Sequence, residues 1–185
     1  RMIFGGGKFD TFGQFNKGIV AFLDEPTGNL FMDFNPNLNS YVNSACKVSD
    51  GLILAGNFTS CDGTPASGLV KVDFFGKRMA AFKPTCQNSN IVKIKNTASG
   101  VFAFSTKPWN SDTKGNFYKI NPTNGSILKN YLLNLSDSAY AGGDFFIEDN
   151  LSSSIGHVVI GNIKSYNAAS FIEYTFPSVG VTISG

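Results

Sequence analysis

The chain has 185 residues, 15% charged and 42% apolar, with 18 Phe, 20 Gly and a formal net charge of +2. That composition is too aromatic and too weakly charged for a disordered chain, which lacks apolar surface to bury. The small net charge excludes a basic footprint for nucleic acid, and no apolar run approaches the roughly 18 residues of a membrane span.

The chain opens on Arg1-Met2-Ile3-Phe4-Gly5. No charged region leads into an apolar one there, so no secretory leader is read. Both ends run through strand-like sequence, and the chain reads as a piece of something longer. A first segment carries Gly5-Gly6-Gly7-Lys8-Phe9, then Gly18-Ile19-Val20-Ala21-Phe22-Leu23-Asp24, Thr27-Gly28 and Asp33-Phe34-Asn35-Pro36. A second carries Ala55-Gly56-Asn57-Phe58-Thr59, then Gly68-Leu69-Val70-Lys71-Val72-Asp73, Phe75-Gly76 and Ala81-Phe82-Lys83-Pro84. Phe9 to Phe58 is 49 positions, Asp24 to Asp73 is 49 and Gly28 to Gly76 is 48, so the landmarks recur with one period. A third copy runs through Val101-Phe102-Ala103-Phe104, Phe117-Tyr118-Lys119-Ile120-Asn121 and Asn124-Gly125. A fourth starts at His157-Val158-Val159-Ile160-Gly161-Asn162 and continues through Phe171-Ile172-Glu173-Tyr174-Thr175-Phe176. Gly125 to Gly180 is 55 positions, which places an insertion around 149–154. The units expected are 2–50, 51–99, 100–155 and 156–185, the last incomplete.

Each unit reads as four short strands; in the second these are 52–58, 68–74, 78–82 and 91–95. Leu69-Val70-Lys71-Val72-Asp73 and Ile91-Val92-Lys93-Ile94-Lys95 alternate as half-buried strands do. Gly28, Gly76 and Gly125 sit between the second and third strands, where tight turns need positive φ. No window shows a 3.6-residue apolar period, and only three Glu occur. Four antiparallel strands repeated every 45–50 residues or so describe the blade of a β-propeller. The fold class expected is therefore all-β, a β-propeller of about three and three-quarter four-stranded blades, with the Gly-rich strand of each at the crowded axis. Closed propellers need roughly 4–8 blades. Uncovered blade faces of this apolar content would aggregate, so a larger propeller is expected.

Leu52-Ile53-Leu54-Ala55-Gly56-Asn57-Phe58-Thr59, Asp62-Gly63-Thr64-Pro65, Gly68 through Asp73 and Phe82-Lys83-Pro84 together resemble the delta-sixty repeat β-propeller family, whose kelch-like blades have four strands. The first copy matches through Gly6 to Phe9, Ile19 to Asp24, Gly28 and Phe34 to Pro36. The third departs, with Phe104-Ser105-Thr106-Lys107-Pro108 in place of the Gly-x-Phe-Thr core, and the fourth keeps Ile160-Gly161-Asn162 but loses the Phe. The resemblance implies a non-enzymatic module of a large secreted, surface or virion protein.

Candidate chemistry is sparse. The loops 10–17, 59–67, 105–114 and 164–169 are expected on one face. Trp109 is the only Trp, and with Lys107, Asn110 and Asp112 it forms the candidate binding surface. A Trp in a polar loop can stack on a sugar ring or anchor a protein partner, but aromatics mostly pack, and a loop pinned against its neighbour is the preferred reading. His157, the single histidine, opens an apolar strand and reads as packed. Asp10, Asp62 and Asp144 lack the spacing of a calcium loop and read as turn formers. Gly5-Gly6-Gly7-Lys8 lacks the ending of a phosphate loop. Glu25, Glu148 and Glu173 fall in separate units, against a paired-carboxylate enzyme. Cys46, Cys61 and Cys86 have no zinc spacing and read as reduced thiols; a Cys61–Cys86 bridge is the alternative, since both fall in loops of one unit. Four Asn-x-Ser/Thr triplets match chance, so no glycan modification is read.

The expected function is a non-enzymatic structural and interaction module of a larger assembly, without cofactor or metal. The setting expected is a virion (a phage tail or capsid-associated protein) or a cell surface. Its partners would be proteins or other copies and segments of the same assembly. The alternative is a carbohydrate-binding or glycan-processing propeller using the loop face around Trp109.

Overall fold

A computed structural model of the chain describes residues 2–5, 11–12, 15–16, 20–23, 26–31, 33–85, 91–105, 117–131, 144–148, 156–165 and 168–176. Among these residues the chain is all-β, its sheets are antiparallel and there is no helix. A closed ring is not seen among them.

The first sheet pairs β1 (Met2–Gly5) with β4 (Val20–Leu23), and a small hairpin of β2 (Thr11–Phe12) and β3 (Phe15–Asn16) lies between them in sequence. The second sheet has the order β5 (Val42–Val48), β6 (Gly51–Gly56), β9 (Leu69–Val72), extended by a bridge from Val72 to Arg78. Between β6 and β9 stands the hairpin of β7 (Ser60–Cys61) and β8 (Thr64–Pro65). The third sheet is a four-strand meander of β10 (Ile91–Thr97), β11 (Gly100–Ser105), β12 (Phe117–Ile120) and β13 (Ile127–Tyr131). The fourth holds β14 (Asp144–Glu148), β15 (Gly156–Ser165) and β16 (Ala168–Phe176).

The strands are grouped one strand out of phase with the sequence reading. The segment 91–95, expected to close the second unit, opens the third sheet: Thr97 pairs with Gly100 across the two-residue turn Ala98-Ser99. Likewise Val48 pairs with Gly51 across Ser49-Asp50. A two-residue turn brings antiparallel neighbours together at little entropic cost, whereas pairing 91–95 back to 78–82 would require closing a longer loop. The expected strand 78–82 is reduced to the bridge at Arg78, because the Phe82 amide donates to the Met79 carbonyl at 3.1 Å and turns the chain inward. The Gly-rich strand β6 accordingly lies second in its sheet, between β5 and β9, and not at its edge.

The second sheet is covered on both faces. Ile53, Ala55 and Leu69 enter one apolar layer with Ile94, Val101, Ala103, Tyr118 and Ile120 of the third sheet. Leu52, Leu54, Val70 and Val72 enter the other, with Phe34, Leu38, Phe58 and Cys61. All six residues of β6 are buried, and so are all four of β9, where the alternation at 69–73 predicts a half-buried strand. Each such Leu or Ile contributes about 1.5–3 kcal/mol relative to an exposed position. Glycine at the end of β6 follows from close approach: a Cβ at Gly56 would collide with the Tyr41 carbonyl oxygen.

The sheets also meet along their first strands. The Asn43 Nδ2 donates to the Ile91 carbonyl at 2.9 Å, Ser44 Oγ donates to the Ile94 carbonyl at 3.2 Å, and the Asn96 Nδ2 donates to the Lys47 carbonyl at 2.8 Å. The partners advance together along both strands, so β5 and β10 run parallel, bridged by side chains. β10 lies against β14 in turn, and β1 against β5.

Candidate functional site

The candidate surface of Lys107, Trp109, Asn110 and Asp112 lies outside the described residues, as do Asp10 and Cys86. The segment 106–116 joins β11 to β12. Its counterpart in the second sheet, 57–68, joins β6 to β9 and is fully described.

That loop is tied down from within the chain. The Asn39 Oδ1 accepts from the Thr59 and Ser60 amides at 2.8 and 3.0 Å, and its Nδ2 donates to Thr59 Oγ1 at 2.8 Å. Asp62 and Gly63 have φ of 49 and 69°, and Cys61 pairs with Thr64. This is the two-residue primed turn that Asp-Gly favours, so Asp62 is a turn former, as its sequence suggests. Asp144 is not: it pairs with Gly161 inside a strand.

Cys61 is a free, buried thiol whose Sγ donates to the Pro36 carbonyl at 3.2 Å. The alternative of a Cys61–Cys86 bridge turns on Cys86, which lies outside the described residues. Burial pushes the Cys61 thiol up to about 11, helped by the negative charge of Asp62, and burial alone pushes Cys46 up to about 12. Neither offers a thiolate nucleophile near neutral pH.

Lys71 is the buried charge of the described region, 2% exposed. Its Nζ lies 2.7 and 2.9 Å from the two Asp50 carboxylate oxygens and donates to the Pro122 carbonyl at 2.9 Å, crossing from the second sheet to the third. The Lys71 ammonium, chiefly through that hydrogen bond, holds the Asp50 carboxyl below its ordinary range. Asn39, Asn43, Ser44, Lys71 and Asn96 escaped the sequence reading, since isolated polar residues in or beside strands look solvated. A signal did exist for Lys71: Leu69, Val70 and Val72 make both faces of β9 apolar, leaving no wet side for it.

Glu148 and Glu173 prove to share a sheet, contrary to the expected scatter. Glu148 pairs with His157 and Glu173 with Val159, two rows along. Among the described residues no three of His, Cys, Asp or Glu are placed to hold a metal ion, and no helix is long and apolar enough to cross a membrane. No family model, curated protein or solved structure matches the chain.

Proposed function

We propose that the chain is a non-enzymatic segment of a β-propeller, acting as a structural and interaction module in a larger assembly. One observation carries this reading: the second sheet is buried on both faces while its first strand runs parallel to the first strand of the third. Blades of a propeller stack in this way, with inner strands side by side about an axis. On this reading β5, β10 and β14 are inner strands, and the phase of each blade begins there. The delta-sixty resemblance agrees, and with the Asn, Ser and Phe richness of a weakly charged chain it favours a virion or cell-surface setting. The partners are then further blades and the proteins of that assembly. The polar side chains described above, buried Lys71 among them, hold sheets and loops together, which suits a scaffold.

Electron cryomicroscopy of the native assembly tests this. The expected result is radial sheets with β5, β10 and β14 nearest the axis; a linear stack, or a two-sheet sandwich with β5 outermost, overturns it. A glycan-array screen of the Trp109→Ala variant is expected to match the unmodified chain. A saturable glycan signal lost with Trp109 would replace this reading with carbohydrate binding.

A further inference from the structure

Three turns in the chain are built alike. Gly28, Gly76 and Gly125 have φ of 68, 89 and 80°, and each follows a strand that the chain then rejoins. Leu23 bridges Leu30, Val72 bridges Arg78, and Ile120 pairs with Ile127. The turns at Gly76 and Gly125 are each covered by the connection arriving from the preceding sheet. A Cβ at Gly76 would stand 2.7 Å from the Asn35 amide nitrogen, and one at Gly125 would stand 2.9 Å from the Pro84 nitrogen and 3.2 Å from the Phe82 ring. The Lys83 amide donates to the Asn124 carbonyl at 2.8 Å. Phe34 and Phe82, which open these two Phe-x-Pro segments, are 0% and 1% exposed.

Both glycines meet the proline nitrogen of one of these segments, Pro36 at 3.0 Å and Pro84 at 2.9 Å from the added Cβ, 40 and 41 positions earlier in the chain, so closely similar contacts are made twice. Gly76 and Gly125 are buried beneath them. Gly28 is exposed, as are Pro26, Thr27 and Asn29 around it, and a Cβ there would meet nothing within 4 Å.

We propose that the Gly28 turn is the receptor for an extended Phe-x-Pro strap belonging to a sheet unit outside these 185 residues. The proposal rests on reading the sheets as successive units of one array, and not on closure of a ring. The chemistry of the occupant follows from the two straps in place. Phe supplies the apolar anchor, Pro pre-sets an extended backbone, and the middle residue, Asn35 or Lys83, varies, so recognition runs through Phe, Pro and main chain. Thr27 holds the position of Asn124, whose carbonyl accepts from the Lys83 amide.

The probe is a synthetic peptide of residues 79–85 (Met-Ala-Ala-Phe-Lys-Pro-Thr), titrated into the isotope-labelled 185-residue chain and followed by amide NMR shifts. Saturable shifts at Gly28 and Asn29 are expected, and peptides carrying Phe82→Ala or Pro84→Ala should lose them. Gly28→Asn, whose asparagine tolerates positive φ, should keep the fold and lose the peptide. Gly125→Asn, crowded by Pro84, should lower the thermal midpoint well below that of Gly28→Asn. No shift at Gly28 while Gly125→Asn is the more damaging variant overturns the receptor and leaves the array reading standing. Equal midpoints for the two variants overturn both. Gly28 shifts that follow chain concentration without peptide assign the turn to a second copy and overturn the proposal.

Discussion

The two layers that flank the second sheet are held differently. The layer with Phe34, Leu38, Phe58 and Cys61 is filled by apolar side chains, and the hydrogen bonds beside it, from Cys61 to the Pro36 carbonyl and from the Thr59 and Ser60 amides to Asn39, tie only the 57–68 loop to the connection before β5. The layer with the third sheet is edged by directional bonds: Lys71 to Asp50 and Pro122, and Ser44, Asn43 and Asn96 to main-chain carbonyls of the facing strand. Hydrophobic burial is non-directional and tolerates sliding; hydrogen bonds do not. The first layer supplies adhesion, and the second adds a defined offset between sheets.

The comparison is broken most severely at the straps. Phe34→Ala and Phe82→Ala each empty a fully buried ring site, one in each layer, and each should cost about 3–5 kcal/mol in urea unfolding. Similar losses would show that both layers depend on apolar filling to the same extent. Lys71→Met keeps the apolar stem but leaves the Pro122 carbonyl without this donor, and should cost about 1–3 kcal/mol. A denaturant slope unchanged from the parent would confirm a packing effect and not a change of compactness.

The pH dependence sharpens the same point. The folded carboxyl of Asp50 titrates below its unfolded value, so its contribution is present above the ordinary carboxylate range and is lost as pH falls through the folded value. Melts across acid pH should show this loss in the parent and not in Lys71→Met. Ser44→Ala removes an acceptor for the Ile94 amide at 3.1 Å and a donor to the Ile94 carbonyl, and should cost about 1 kcal/mol in the same unfolding assay.

The mildest probe leaves the sequence unchanged. Cys46 and Cys61 lie one in each layer, and their thiols are raised from an ordinary 9.0 to about 12 and about 11. Unfolded thiols ionise first, so stability should decline gradually as pH rises from about 9 through these values. Alkylation of both at pH 8, read by mass spectrometry, should be slow in the folded chain and fast in urea. Rapid labelling of Cys61 alone would mark its layer as the one that opens.

Much of the strand content was legible. The alternating and apolar runs at 52–56, 69–72, 101–104 and 117–120 are strands, and the glycines at 28, 76 and 125 occupy positive-φ turns. The phase was not legible, because a period of about 49 residues fixes the distance between equivalent strands but not which strand a sheet begins with. That choice was decided by the two-residue turns Ser49-Asp50 and Ala98-Ser99, which hold no Gly at their central positions; their signal is the Gly that follows each, in Asp50-Gly51 and Ser99-Gly100, and it is weaker than the Asn-Gly and Phe-Gly landmarks of the repeat. Position 92 added a second obstacle: a bulge between Ile91 and Lys93 shifts the register, so counting odd and even residues along β10 assigns faces wrongly past it. The bonds of Asn43, Ser44 and Asn96 join residues 48–50 positions apart, and local pattern carries no trace of them. The candidate residues around Trp109 fall outside the described segments, so the sequence remains the source for that surface.

The straps have a consequence for how the molecule folds and fails. Phe34 and Phe82 leave one sheet and are buried against the next, so the second and third sheets are each completed by a segment from the one before. Coupling of that kind is nearest-neighbour, and stability then behaves as a sum of intrinsic terms for each sheet plus interfacial terms between adjacent ones. A lesion at Pro84 would weaken the boundary between the second and third sheets and be felt in both, while the first would register it only through the second. Unfolding would start at whichever boundary is weakest and advance sheet by sheet, giving a melting transition whose breadth reports how unequal the boundaries are.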